Sequence, residues 1–121
     1  MQLQKLTPML WVNDLKATIN YYVSVLGFVE TNYLEEAQWG VVEKDDVAIM
    51  FSKPNEHFVF NGPQFSGSLY LLTDNATAWW ELLKDKATIV YPIEDFYYGM
   101  REFAIKDCNG YLLQFGQEIG Q

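Results

Sequence analysis

One histidine and one cysteine are all that the chain holds of the side chains that most often ligate transition metals. A lone Cys108 excludes an internal disulfide framework and fits a reducing compartment. Basic side chains are scarce as well. Eight Lys and Arg stand against sixteen Asp and Glu, for a net charge of −8. That balance argues against nucleic acid, whose phosphates demand a basic face. It suits plain solubility or a cationic ligand. No apolar run approaches the ~20 residues of a membrane span, and MQLQKLTPML has no basic region followed by a long apolar one. Together these absences predict a soluble cytoplasmic protein that engages neither nucleic acid nor membrane.

Aromatics are what the chain has in plenty. They make up 17% of its 121 residues, with eight Tyr, eight Phe and four Trp. A core for a single domain of this length forms without disulfide or metal staples. It needs fewer rings than these, so some are expected to line a pocket.

The hydrophobic pattern repeats. Residues 6–12 read as a strand, and Asn13 or Asp14 can cap a helix with apolar positions Leu15, Ile19, Tyr22, Val23 and Leu26, closed by Gly27. Strand-like runs follow at 28–33, 38–43 and 47–52, the last two joined by a Lys44-Asp45-Asp46 turn. The segment 53–67 carries Pro54, Gly62, Pro63 and Gly67, which is linker chemistry, although its phenylalanines suggest that it packs onto something. The order then restarts: a strand at 68–73, a helix capped by Asp74 or Asn75 and holding Trp79 and Trp80, and strands at 87–91, 101–106 and 111–116. Val12-Asn13-Asp14 matches Leu72-Thr73-Asp74, and Lys44-Asp45 matches Lys106-Asp107. The chain therefore reads as an internal repeat. The expectation is an α+β fold of two βαβββ repeats, about 5–53 and 67–118 around a linker at 54–66, with curved mixed sheets enclosing a cleft and helices on the outer faces.

Two stretches, DLKATINYYVSVLGF (14–28) and REFAIKDCNGYLLQFGQ (101–117), resemble signatures of the vicinal oxygen chelate superfamily. That superfamily includes glyoxalase I, extradiol dioxygenases and bleomycin-resistance proteins. The wording around Arg101-Glu102-Phe103 and Phe115-Gly116-Gln117 is most similar to the bleomycin-resistance branch, with Cys108 standing where the family usually has proline. The resemblance implies a site built from the first and last strands of each repeat. Where such proteins are metalloenzymes, His, Gln and Glu hold an ion there that acts as a Lewis acid. Carried over by register, those positions are Thr7, Met50, Ser68 and Gln114. The set lacks imidazole and carboxylate, and a thioether is too soft for the usual ions. No metal and no other cofactor is expected. The single His57 falls in the linker and reads as a surface residue.

Residues two apart along a strand share a face. If the carried-over positions face the cleft, then Met9, Trp11, Ala48, Ser52, Tyr70, Leu72, Leu112 and Gly116 join them, with Trp39 and Val41 contributing from the third strand. The stretch 95–99, with Tyr98, reads as a mobile loop over one mouth, followed by Arg101. The adjacent Arg101 and Glu102 face opposite sides. The candidate ligand-binding residues are thus Thr7, Met9, Trp11, Trp39, Met50, Ser68, Tyr70, Tyr98, Arg101 and Gln114, with Trp11 as the main stacking ring. Three functions compete. The first is a metal-free homodimeric protein sequestering a cationic or planar aromatic compound, such as a glycopeptide antibiotic. A metal-dependent glyoxalase-type lyase or isomerase, or an extradiol-type dioxygenase, is the second. The third is a partner-binding module using Trp79 and Trp80.

Overall fold

Strands that alternate apolar and mixed residues, each set beside one short amphipathic helix, give both halves of the chain a sheet with a single covered face. The computed structural model describes residues 1–120 and divides into two units, the second beginning at Pro63 within the expected linker. The first unit runs β1 (Met9–Trp11), α1 (Leu15–Ser24), β2 (Val29–Leu34), β3 (Trp39–Lys44) and β4 (Val47–Ser52). The second runs β5 (Leu69–Leu72), α2 (Ala76–Leu83), β6 (Thr88–Phe96), β7 (Met100–Lys106) and β8 (Leu112–Glu118). Each makes a four-stranded mixed sheet, ordered β1-β4-β3-β2 and β5-β8-β7-β6, in which only the first and last strands pair in parallel. These are the two βαβββ modules of the expected α+β fold. Among the described residues, no helix is long and apolar enough to cross a membrane.

The helices are set by their caps and one apolar stripe. Asp14 begins α1 by accepting the Ala17 N–H at 3.0 Å. Leu15, Ile19, Tyr22 and Leu26 are buried, with the Tyr22 ring 4.8 Å from that of Phe51. Val23 was expected in this stripe but is exposed, because one step beyond Tyr22 turns it about 100° away. In α2 the cap is Asn75, which accepts the Ala78 N–H at 2.9 Å. Its match to Asp14 lengthens the repeat offset by one residue from the Asp14/Asp74 pairing.

Both tryptophans of α2 pack on their own sheet while staying partly exposed. Trp79 lies 5.0 Å from Phe115 and Trp80 lies 5.3 Å from Phe103, and the two phenylalanine rings stack at 5.0 Å. Rings this large straddle the contact stripe from either side of it. Full burial of Phe103 and Phe115 stabilises the unit by about 1.5–3 kcal/mol each.

The stretch 95–99 is also corrected. Asp95 and Phe96 belong to β6, which continues past Pro92 as an edge strand with two register shifts against β7. Pro is tolerated there because an edge strand has one side without ladder bonds. The connection is a tight turn at 97–99, with Gly99 at φ +83° donating its N–H to the Phe96 carbonyl at 3.1 Å.

The β7–β8 turn depends on Asp107. Its buried Oδ1 accepts the N–H groups of Asn109, Gly110 and Tyr111 at 2.8, 2.9 and 2.9 Å, while Gly110 takes φ +101°. Cys108 is exposed and makes none of these backbone bonds, which explains why the turn accepts it. Asp107→Ala is expected to lower the unfolding free energy by about 3 kcal/mol, the scale of bonds to a charged acceptor. Urea denaturation measures it, and Asp107→Asn should cost less.

Candidate functional site

Each sheet has a second face turned away from its helix. In the first unit, Ile49 and Phe51 are buried in the core, so alternation puts Met50 and Ser52 on the other side. Register then aligns Met9, Met50 and Val41 in one row and Trp11, Ser52 and Trp39 in the next. Trp11 meets the linker: its ring lies 5.7 Å edge-on from Phe60 and 6.2 Å from Phe58. Thr7 precedes β1. This face is aromatic, thioether and aliphatic.

The second unit carries polar chemistry on the corresponding face. Leu113 and Phe115 are core, so Gln114 and Gly116 turn the other way, as do Glu102 and Ala104 between Phe103 and Ile105 on β7. One row reads Tyr70, Gln114, Ala104, Tyr91, and the next Leu72, Gly116, Glu102, Glu94. Glu102 is only 3% exposed. Its Oε1 accepts the Tyr70 hydroxyl at 2.8 Å, and its Oε2 accepts the Tyr91 hydroxyl and, at 3.4 Å, the Gln114 amide. Gln114 Nε2 also donates to the Tyr91 oxygen at 2.8 Å, while its Oε1 accepts the Ser68 hydroxyl. Ser68 and Gln114, two of the carried-over positions, are thereby in direct contact.

A glycine makes the arrangement possible. A Cβ on Gly116 would lie 2.0 Å from the Tyr70 hydroxyl oxygen, so the Tyr70 ring crosses β8 only over a glycine. Ala104 on β7 is the cross-strand partner of Tyr91.

Protonation follows from this packing. Burial, and then Glu102, push the Tyr70 phenol well above its ordinary range. Tyr91 is pushed up to about 12, by burial first and also by Glu102, while the Gln114 amide pulls it the other way. Tyr98, at the tip of the β6–β7 turn, is raised by burial and then by the charge of Glu102. At neutral pH the phenols therefore keep their protons, and Tyr70 and Tyr91 donate them to the carboxylate. Phe96 joins the group, stacked at 5.4 Å on Tyr98 and 5.8 Å edge-on to Tyr91.

Arg101 stands apart from this cluster. It shares strand parity with Phe103, on the helix-covered side, and its Nε and Nη2 reach the Asp95 carboxylate at 2.7 and 3.2 Å. That pairing holds Asp95 below the usual carboxylate range. His57 is exposed in the linker, its N–H donating to Asn55. The sequence candidates omit Glu102 and Tyr91. Parity was the available signal, because once Phe103 is core, its neighbour Glu102 must face with Gln114.

The family model described as Glyoxalase/Bleomycin resistance protein/Dioxygenase superfamily matches residues 5–115. The chain belongs to this superfamily. Solved structures agree on the fold. A superfamily member from Sphaerobacter thermophilus superposes with a TM-score of 0.79 at 19% identity, covering 97% of this chain and 98% of that one. TioX from Micromonospora sp. ML1 gives 0.72 at 16% identity, with 95% and 98% covered. A lactoylglutathione lyase from Agrobacterium tumefaciens gives 0.71 at 17% identity, with 94% and 92% covered. A comparison with curated proteins returned no match.

Metalloenzymes of the superfamily hold a divalent ion, and the residues here do not fit one. Thr7, Met50, Ser68 and Gln114 offer two hydroxyls, a thioether and an amide. No group of three or more His, Cys, Asp or Glu able to hold a metal occurs among the described residues. Glu102 is a carboxylate near Gln114, but two phenols and that amide already occupy it.

The role of Gly116 is testable by a double-mutant cycle. Gly116→Ala should displace the Tyr70 ring and cost about 1–3 kcal/mol of stability as overpacking. The same substitution in a Tyr70→Ala background should cost clearly less, because the clashing ring is gone. Chemical denaturation of the four proteins reads both terms.

Proposed function

We propose that the chain is a small-molecule-binding protein that works without a catalytic metal and sequesters a planar aromatic or cationic organic compound, a glycopeptide antibiotic being one example. The observation that carries this reading is the state of Gln114. It occupies a position where the resemblance implies a metal-binding carboxylate, and both ends of its amide are engaged within the chain, by Ser68 on one side and by Tyr91 and Glu102 on the other. The aromatic open faces add support, since pockets for organic ligands are mostly apolar with a few placed polar groups. On this reading Trp11, with Met9, Met50 and Trp39 beside it, offers a stacking surface in the first unit. Tyr70 and Tyr98 do so in the second.

Small-molecule binding is the common property of the superfamily, and activity is carried by residues rather than by fold. A metal-dependent lyase, isomerase or dioxygenase is the second reading. Glu102 favours it as the one carboxylate beside Ser68 and Gln114, but it would need nitrogen or further oxygen ligands. A homodimer is part of the proposal, because both sheets end in edge strands, and nine-residue β6 exposes Val90. A cytoplasmic location fits a chain that carries a single cysteine.

Protein incubated with zinc, nickel, manganese or iron(II) and then desalted should retain far less than one equivalent. Stoichiometric metal that is lost on Gln114→Ala would favour the enzyme instead. Trp11→Ala should weaken a bound planar aromatic compound by about 1–3 kcal/mol. Unchanged affinity with a large loss of stability would assign Trp11 to packing on Phe58 and Phe60. Light scattering at micromolar concentration should give twice the chain mass, and a monomer mass rejects the dimer.

A further inference from the structure

Two carboxylates face each other on the open side of the second sheet. Glu102 on β7 and Glu94 on β6 are direct cross-strand partners, an arrangement that like charges make unfavourable. Neither takes part in the ion pairs seen among the described residues at Lys16–Glu35, Lys84–Glu81 and Arg101–Asp95. Glu102 is buried and Glu94 exposed. A buried carboxylate without a cation is costly, and hydrogen bonds alone offset part of that cost.

The rings around it have a definite electronic character. Tyr70 and Tyr91 donate their hydroxyls to Glu102, and a phenol donating to an anion gains electron density in its ring. That deepens the negative potential over the ring face, which is what attracts a cation. The hydroxyls point inward at the carboxylate while the rings remain reachable: Tyr70 is 44% and Tyr98 49% exposed. Tyr98 stacks on Phe96, which extends the aromatic surface next to the carboxylates.

We propose that Glu102, with Glu94 opposite and the rings of Tyr70 and Tyr98 in front, selects an organic cation bearing an ammonium or guanidinium group over a neutral compound of the same shape. The inference rests on the small-molecule-binding reading and chooses between the two ligand classes that reading leaves open. Glu102 acts through the rings, because its oxygens are covered. Glu94 is free to meet the cation directly.

Isothermal titration with a matched pair of probes, 1-naphthylmethylammonium and 1-naphthylmethanol, tests it at neutral pH. The ammonium should bind on the order of tenfold tighter, the size of a partly desolvated cation–ring contact. Glu102→Gln and Tyr98→Leu should each lower the ratio of ammonium to alcohol affinity toward one. The comparison on the unmodified protein needs no substitution, so it decides the matter even where Glu102→Gln does not fold. Equal affinity for the two probes overturns the charge selection and leaves the binding-protein reading standing. A preference undiminished in both variants also overturns it. Failure of both probes to bind, with no shift in melting, removes the inference together with the reading beneath it.

Discussion

A carboxylate taken out of water must find donors, and in the second unit that requirement organises an entire sheet face. Glu102 stands on β7, an inner strand, so its donors come from the other three strands. Tyr70 reaches it from β5, Tyr91 from β6 and Gln114 from β8. Tyr70 must cross β8 to get there, which is why Gly116 is a glycine. The chain of cause runs from one glycine, to ring placement, to a charge held without a cation. The helix-covered side depends on none of this, since Phe103 and Phe115 are fixed by their stack and by the tryptophans of α2.

The two halves use one lattice for different chemistry. Met9 pairs with Met50 in the first sheet as Tyr70 pairs with Gln114 in the second. One row further, Ser52 faces Trp39 where Gly116 faces Glu102. A tryptophan thus occupies the first-unit counterpart of the buried carboxylate. The two units share the backbone ladder and the core parity, which depend only on apolar residues at every second position. Their open faces differ, since residues there make no contribution to the helix-packed core.

Most strand positions, the two helices and the repeat could be read from the sequence because they rest on local periodicity and on turn chemistry such as Gly27 and Lys44-Asp45. The misjudged features depend on tertiary geometry. Trp79 and Trp80 differ by one helical step, and direction alone suggested that only one meets the sheet. Ring size lets both do so. The extension of β6 through Pro92 needed two register shifts that no alternating pattern announces. That Ser68, Tyr70 and Gln114 lie together on the open face was legible because the resemblance supplied a register, whereas Tyr98 entered only through an expected loop that the structure replaces with a strand and a tight turn. Glu102 was not legible, since a charged residue in a strand reads by default as solvent-facing. Arg101 attracted the functional reading instead, yet its guanidinium is taken up by Asp95.

The hydrogen bonding of Glu102 also bears on which chemistry this face can support. An ionised carboxylate has about four lone-pair sites. Oε2 receives both Tyr91 and Gln114, Oε1 receives Tyr70, and the Tyr98 hydroxyl is a further partner of the same carboxylate. A divalent ion entering here would have to displace one of these partners, and it would be flanked by phenols whose raised pKa values keep them protonated and poor as ligands. A bidentate carboxylate would require both tyrosines to withdraw, each leaving a buried hydroxyl to be satisfied elsewhere. An organic cation makes no such demand. It interacts with ring faces and with a diffuse negative potential, neither of which requires a lone pair to be vacated. On the proposed reading, the donors that hold Glu102 in place hinder a metal ion and favour an organic cation, and both effects follow from the same phenolic bonds.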